Sequence, residues 1–195
     1  MKARFAVAAA VLVAAAAVAV AADNPRGSAS AAVGGKKVTI DYGRPALKGR
    51  TLDDLTSKLP EDRMWRAGEN QVTILTTEGA VSVGGKKLAA GRYSLYVYAP
   101  ASGDWALAIN TDQGKPLGEL WSGAPENMKK EPWPHLEGYQ KSIASTEVAR
   151  ATMKSGKTTA AVENFTMDLK PSKDAAVLTL SWGDRTWSLD ITPAK

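Results

Sequence analysis

The chain has 195 residues, with 25 Lys and Arg against 20 Asp and Glu, a formal charge of +5 and no cysteine. The absence of thiols excludes disulfides, thiolate metal sites, a cysteine nucleophile and a lipidated N-terminal cysteine. The basic residues are interleaved with acids rather than gathered in one stretch, which argues against nucleic acid as a partner.

Lys2 and Arg4 precede a run from Phe5 to Ala22 without a charged residue, and the run closes on Ala19-Val20-Ala21-Ala22 before Asp23. A basic start, an apolar run and small residues at its end are the parts of a signal peptide, so residues 1–22 are predicted to be removed on export. A retained anchor helix is the alternative, because 18 uncharged residues approach the ~20 needed to span a bilayer. Alanine makes this run only weakly apolar, which favours cleavage. The leader holds two of the basic residues and none of the acidic ones, leaving a formal charge of +3 on the mature chain. That chain is expected to be soluble, without a membrane span after signal cleavage, and extracytoplasmic, either periplasmic or secreted.

Residues 23–32 are rich in Ser, Ala, Gly and Pro and are predicted to be a flexible lead-in. Residues 33–195 are expected to form a single domain. Val38, Ile40 and Tyr42 alternate with polar residues, as do Val72, Ile74 and Thr76, which marks half-buried strands. Thr51 stands three residues before Asp54 at capping-box spacing, predicting one short helix through Leu55 and Leu59 that stops at Pro60. VGGKK occurs at Val33–Lys37 and again at Val83–Lys87. Gly-Gly supplies the positive φ angles of a tight hairpin turn, so the repeat is read as one turn used twice rather than as duplicated half-domains. Tyr93, Leu95 and Val97 share one face of the next strand, Ser94, Tyr96 and Tyr98 the other, and Trp105, Leu107 and Ile109 alternate after it. Four prolines break the stretch Gly114 to Tyr139, predicted to be a long loop with a helical turn near Glu126 to Lys130. Three further alternating runs end the chain, at Phe165–Leu169, Leu178–Trp182 and Trp187–Ile191, separated by turns at Pro171–Asp174 and Gly183–Asp184. The whole predicts an all-β fold, a mostly antiparallel β-sandwich or jelly-roll-like barrel, with one short helix and a long Pro/Trp-containing loop.

An inventory of chemistry excludes most catalytic sets. His135 is the only histidine, and no G-x-S-x-G, HExxH, Walker or G-x-G-x-x-G pattern is present. Glu131 and Glu137 near His135 could make at most a poor metal site, and a surface-loop histidine is the plainer reading; neither a metal nor another cofactor is expected. The distinctive residues lie between Tyr42 and Thr73. Arg44, Arg50 and Arg66 stand beside Gly, Pro or Ala in segments of restricted geometry, and Trp65, Glu69 and Asn70 accompany them. Arginine holds a carboxylate or phosphate through two parallel hydrogen bonds, so these six residues are a candidate ligand-binding set. The alternative is structural: the arginines pair with Asp53, Asp54, Glu61 or Glu69 and pin a long connection to the sheet.

YGRPALKGR (Tyr42 to Arg50), MWRAGEN (Met64 to Asn70), GGKKLAAGRYSLYVYAP (Gly84 to Pro100), Glu163-Asn164-Phe165-Thr166 and the closing LTLSWGDRTWSLDI occur in that order. Together they resemble the bacterial family known as domain of unknown function 2911, over roughly Val33 to Ile191. The chain departs from that pattern at Glu69, where the family has Ala, and in the longer loop between Gly114 and Tyr139. The resemblance implies an exported β-rich protein and brings no activity with it.

The functional expectation is therefore a non-catalytic binding or interaction module for a small anionic or sugar-like ligand, or for an envelope protein. Exposed Trp121 and Trp133 would favour a flat apolar or sugar ligand. The alternative is a hydrolase or isomerase that uses Glu69 with an arginine partner and needs neither metal nor nucleotide.

Overall fold

The computed structural model describes residues 25–135 and 138–194. The predicted leader lies outside the described residues. Two antiparallel sheets share one core. The first is built from β1 (Arg26–Val33), β2 (Lys36–Gly43), β3 (Met64–Trp65), β4 (Ile74–Thr77), and then, beyond β5 (Val81–Val83) and β6 (Lys86–Leu88), β7 (Gly91–Tyr98), β8 (Ala106–Asn110) and, later, β11 (Glu147–Thr152). Its order is β1-β2-β4-β7-β8-β11, with β3 beside the C-terminal half of β7. The second sheet runs β12 (Lys154–Ser172), β13 (Ala175–Pro193), β5, β6. β1 lies against β12 and β11 against β6, so the sandwich is narrowed along both sides.

Between the faces lie Ile40, Leu75, Leu95, Leu107 and Ile109 from one sheet and Phe165, Leu178, Leu180 and Ile191 from the other, all nearly or fully buried. Both VGGKK segments form hairpin turns, β1–β2 and β5–β6, with Gly34, Gly35, Gly84 and Gly85 all at positive φ. The predicted helix is α1 (Leu52–Thr56), and its capping box is complete: Asp54 N–H donates to Thr51 Oγ1 and Thr51 N–H donates to Asp54 Oδ2.

Two expectations are corrected. The lead-in is not irregular: Arg26–Val33 pair along their whole length with β2, and Ala29, Ala31 and Val33 face the core at period two. Alternating Ser and Ala carries too little hydrophobic contrast to announce a strand. The turn expected at Gly183–Asp184 is instead continuous β13, with Gly183 at φ 61° opposite a bulged stretch of β12 between Lys157 and Thr166, so the three closing runs make one long hairpin.

The segment 111–146 lies over the outer face of the first sheet. It contains β9 (Lys115–Pro116), α2 (Leu117–Leu120), β10 (Pro132–Trp133), α3 (Tyr139–Ser142) and a 3-10 turn at Ala144–Thr146. Glu126–Lys130, read as a helical turn, is a run of turns. Met64, Tyr96, Ala108, Tyr139 and Ile143 form a second, smaller cluster there. Among the described residues, no helix is long and apolar enough to cross a membrane.

Candidate functional site

The two motifs singled out in the sequence meet back to back. A Cβ on Gly43 would stand 1.9 Å from the Glu69 carbonyl oxygen, so only glycine allows the Arg66–Asn70 turn to rest on β2. Ala67 and Asn70 hold that turn in left-handed backbone, at φ 51° and 62°, and Thr73 Oγ1 donates to the Ala67 carbonyl at 2.9 Å.

From the turn, neighbouring side chains leave on opposite faces, as extended chain requires. Trp65 goes inward, stacking on Trp182 at 5.2 Å and meeting Phe165 edge-on at 4.8 Å. Arg66 goes outward and lines a pocket of about 230 Å³ with Tyr96, His135 and Tyr139. Arg44 takes a third direction, donating from Nε to the Phe165 carbonyl (3.4 Å) and from Nη2 to Thr166 Oγ1 (3.3 Å). Arg50 donates to the carbonyls of Leu47 (2.8 Å) and Ala46 (3.2 Å). Arg44 and Arg50 thus bind carbonyl and hydroxyl oxygens rather than the acids weighed for them, while Asp53 pairs with Arg185 at 2.9 Å. Of the six candidates, Arg66 lines the outward pocket, Trp65 borders both that pocket and the inner core, and the charge of Glu69 acts on Arg66.

The pocket is walled by parts far apart in sequence. Tyr96 comes from β7. Asp62 joins two walls, its Oδ1 accepting from Met64 N–H (3.1 Å) and its Oδ2 from Tyr139 N–H (3.1 Å) and Gln140 N–H (3.2 Å). His135 is carried by the β9–β10 ladder, which is fixed to the body by Val72 N–H donating to the Pro132 carbonyl at 2.9 Å. The Tyr139 hydroxyl reaches Asn110 Oδ1 (3.1 Å) and Glu147 Oε2, and Arg150 grips Glu147 through two bonds of 2.7 and 2.6 Å.

Buried polar atoms in and beside the pocket are unsatisfied. Tyr96 is 6% exposed, and its hydroxyl has no hydrogen-bond partner among the described residues. The same holds for Asn110 Nδ2, Trp133 Nε1 and His135 Nε2, all on this outer face. Asp112 Oδ1 stands 3.7 Å from His135 Nε2, outside hydrogen-bonding distance. Burial pushes the Arg66 guanidinium below its ordinary value, against the charge of Glu69. Burial, and then Asp112, push the Tyr96 hydroxyl well above the tyrosine range, so it stays a neutral O–H donor. A buried polar group without a partner costs about 1–3 kcal/mol, and such groups gathered in one place mark where a partner is supplied from outside.

A second cavity, about 140 Å³, lies under α1 among Leu52, Leu55, Leu59, Trp65, Trp105 and Trp182. None of the buried unpartnered atoms belongs to it. It is a mostly apolar gap beside the core, with Thr56 as its one hydroxyl-bearing lining residue among those described.

The family model described as "Protein of unknown function (DUF2911)" matches residues 24–191. The chain belongs to this family. No curated protein and no solved structure matches it. As a DUF2911 protein it has a matched segment that begins two residues before β1, so strand β1 belongs to the family's domain. Of the residues weighed as a metal site, Glu137 lies outside the described residues, and no three of His, Asp and Glu among the described residues are grouped to hold a metal. Trp121, weighed as a platform, is 52% exposed, whereas the Trp133 indole nitrogen is buried. Sequence reasoning missed Tyr96 and Tyr139. The available signal was Ser94, Tyr96 and Tyr98 on the supposed solvent face of β7: a strand that carries two tyrosines outward has something packed over them.

Proposed function

We propose that this DUF2911 protein is an exported, non-catalytic binding module whose small-molecule ligand sits between the outer face of the first sheet and the 111–146 segment. The observation that carries the reading is the convergence on one partly open pocket of Tyr96 Oη and His135 Nε2, neither hydrogen-bonded within the described residues, with the Arg66 guanidinium. Export is supported by the N-terminal sequence alone. N-terminal sequencing of protein recovered from outside the cytoplasm should begin at Ala22 or Asp23, and recovery of intact Met1 would overturn that part.

The binding reading is tested by the melting temperature of the mature protein against a panel of sugars, organic anions and phosphates, since a ligand of the folded state raises it by mass action. A rise that Tyr96→Phe abolishes, with the fold intact, supports the pocket. A rise that survives in that variant places the ligand elsewhere.

The catalytic alternative draws one observation, Asp112 beside His135, an acid that could orient an imidazole base. It takes the place of the Glu69 chemistry expected from sequence. At 3.7 Å the pair is not engaged, and we rank catalysis second.

A further inference from the structure

Resting on the binding reading, we propose that the pocket takes a monocarboxylate with a compact apolar body, the size of a single ring bearing a carboxylate.

The lining of the pocket is of two kinds. Arg66, Tyr96 and His135 are polar, whereas Leu59, Pro60, Met64, Trp65 and the Tyr139 ring are apolar. Arg66 and Asp112 both act on Tyr96, and Asp112 stands 3.7 Å from His135 Nε2, so the three polar groups are neighbours. The polar groups are rich in donors: a planar guanidinium, a hydroxyl that stays protonated, and an imidazole. Asp112 stands beside His135 and the charge of Glu69 acts on Arg66, but neither carboxylate lines the pocket among the described residues, so a ligand that brings acceptors and negative charge complements the donors that do. Guanidinium N–H pairs match the two oxygens of a carboxylate in one plane. A ligand carboxylate there would satisfy the Tyr96 hydroxyl and neutralise a cation that burial already disfavours.

The apolar lining decides against the other anions and against sugars. Phosphate or sulfate presents oxygens in every direction, and those turned toward Leu59 and Met64 would lose water without gaining a partner. A sugar carries donors as well as acceptors over its whole surface and would strand its own hydroxyls on the same side. Volume sets the body: about 150 Å³ holds benzene, and the pocket offers 230 Å³ on a partly open rim.

The experiment is titration of the mature protein by calorimetry and melting temperature with benzoate and cyclohexanecarboxylate up to ~10 mM, against benzamide, inorganic phosphate and glucose. Both carboxylates are expected to bind, and benzamide about tenfold or more weaker, the loss of one charge-assisted contact. Arg66→Met and Tyr96→Phe should weaken benzoate about tenfold or more, while Lys170→Ala, on an exposed part of β12, should not. If Arg66→Met does not fold, Tyr96→Phe carries the test. Benzamide binding as tightly as benzoate, or benzoate binding that both variants retain, overturns the carboxylate assignment. Glucose or phosphate binding that Tyr96→Phe abolishes, with both carboxylates silent, overturns it while leaving the pocket standing. Silence of both carboxylates with no such replacement also overturns it.

Discussion

On the inner side of β3, Trp65, Phe165 and Trp182 pack ring against ring, and the polar groups beside them are matched: Tyr42 Oη donates to the Met167 carbonyl at 3.0 Å, Trp182 Nε1 to Glu163 at 3.3 Å, and Arg44 to β12. One residue further along the chain, on the outer side, Tyr96 Oη and His135 Nε2 are buried without a hydrogen-bond partner among the described residues, beside a half-buried Arg66. Both regions hold aromatic rings and an arginine, and both were legible in outline as unusual. What separates them is saturation. A region whose polar atoms are all engaged stabilises the fold, whereas one whose polar atoms are withheld is less stable than it could be, and that cost is offset only when a ligand fills it.

The largest effect should come from the saturated side. Phe165 is fully buried and touches Tyr42, Trp65 and Trp182, so Phe165→Ala is expected to cost about 3–5 kcal/mol in denaturant unfolding. A loss under about 1 kcal/mol would mean the aromatic stack can collapse around the gap, and the contrast between the two sides would weaken.

Next comes the clamp at the border of the two regions. Tyr139→Phe keeps the ring against Tyr96, at 5.3 Å, and removes the hydroxyl that reaches Glu147 and Asn110. A bond to a charged acceptor suggests a loss of about 1–3 kcal/mol. If stability is unchanged, the clamp is not holding the pocket wall, and the pocket's geometry must be kept by Asp62 alone.

Tyr96→Phe should behave in the opposite sense. Its hydroxyl has no partner to lose, so the variant is expected to match the wild type or gain up to about 1 kcal/mol. A destabilisation beyond about 1 kcal/mol would show that the hydroxyl is already satisfied and would remove the distinction on which the site rests.

How far the sequence carried this contrast follows from which signals are local. Period-two alternation in β2, β7 and β8, the Gly-Gly turns and the Thr51–Asp54 cap are decided by neighbours in the chain, and they were read correctly. β1 was not, because Ala against Ser gives almost no hydrophobic contrast. Gly183 was read as a turn because its positive φ, taken up within β13 opposite the bulged part of β12, is what a turn also asks for. The site was legible only as a residue type: Arg66 was picked out, but Tyr96, His135 and Tyr139 lie 30 to 73 positions away in sequence. Their convergence depends on the 111–146 segment folding over the sheet, which no short-range pattern specifies.

The smallest expected effect is a slope rather than a step. Burial of Glu147 works to raise its pKa, but hydrogen bonds from Arg150 and Tyr139, with the Arg150 charge, outweigh it and hold the carboxyl below the usual range. A group whose folded value is depressed binds a proton more readily in the unfolded chain. Its stabilisation is therefore fully present above the ordinary carboxylate pKa, ~4.3, and is lost as pH falls through the folded value. Unfolding measured from neutral pH down to ~3 should fall more steeply for the wild type than for Glu147→Gln, with the two curves converging at the acid end. Parallel curves would mean that Arg150 and Tyr139 hold the protonated form as well as they hold the anion. The wall of the pocket would then be kept by packing of the Tyr139 ring, and the boundary between the saturated and unsaturated regions would be steric rather than electrostatic.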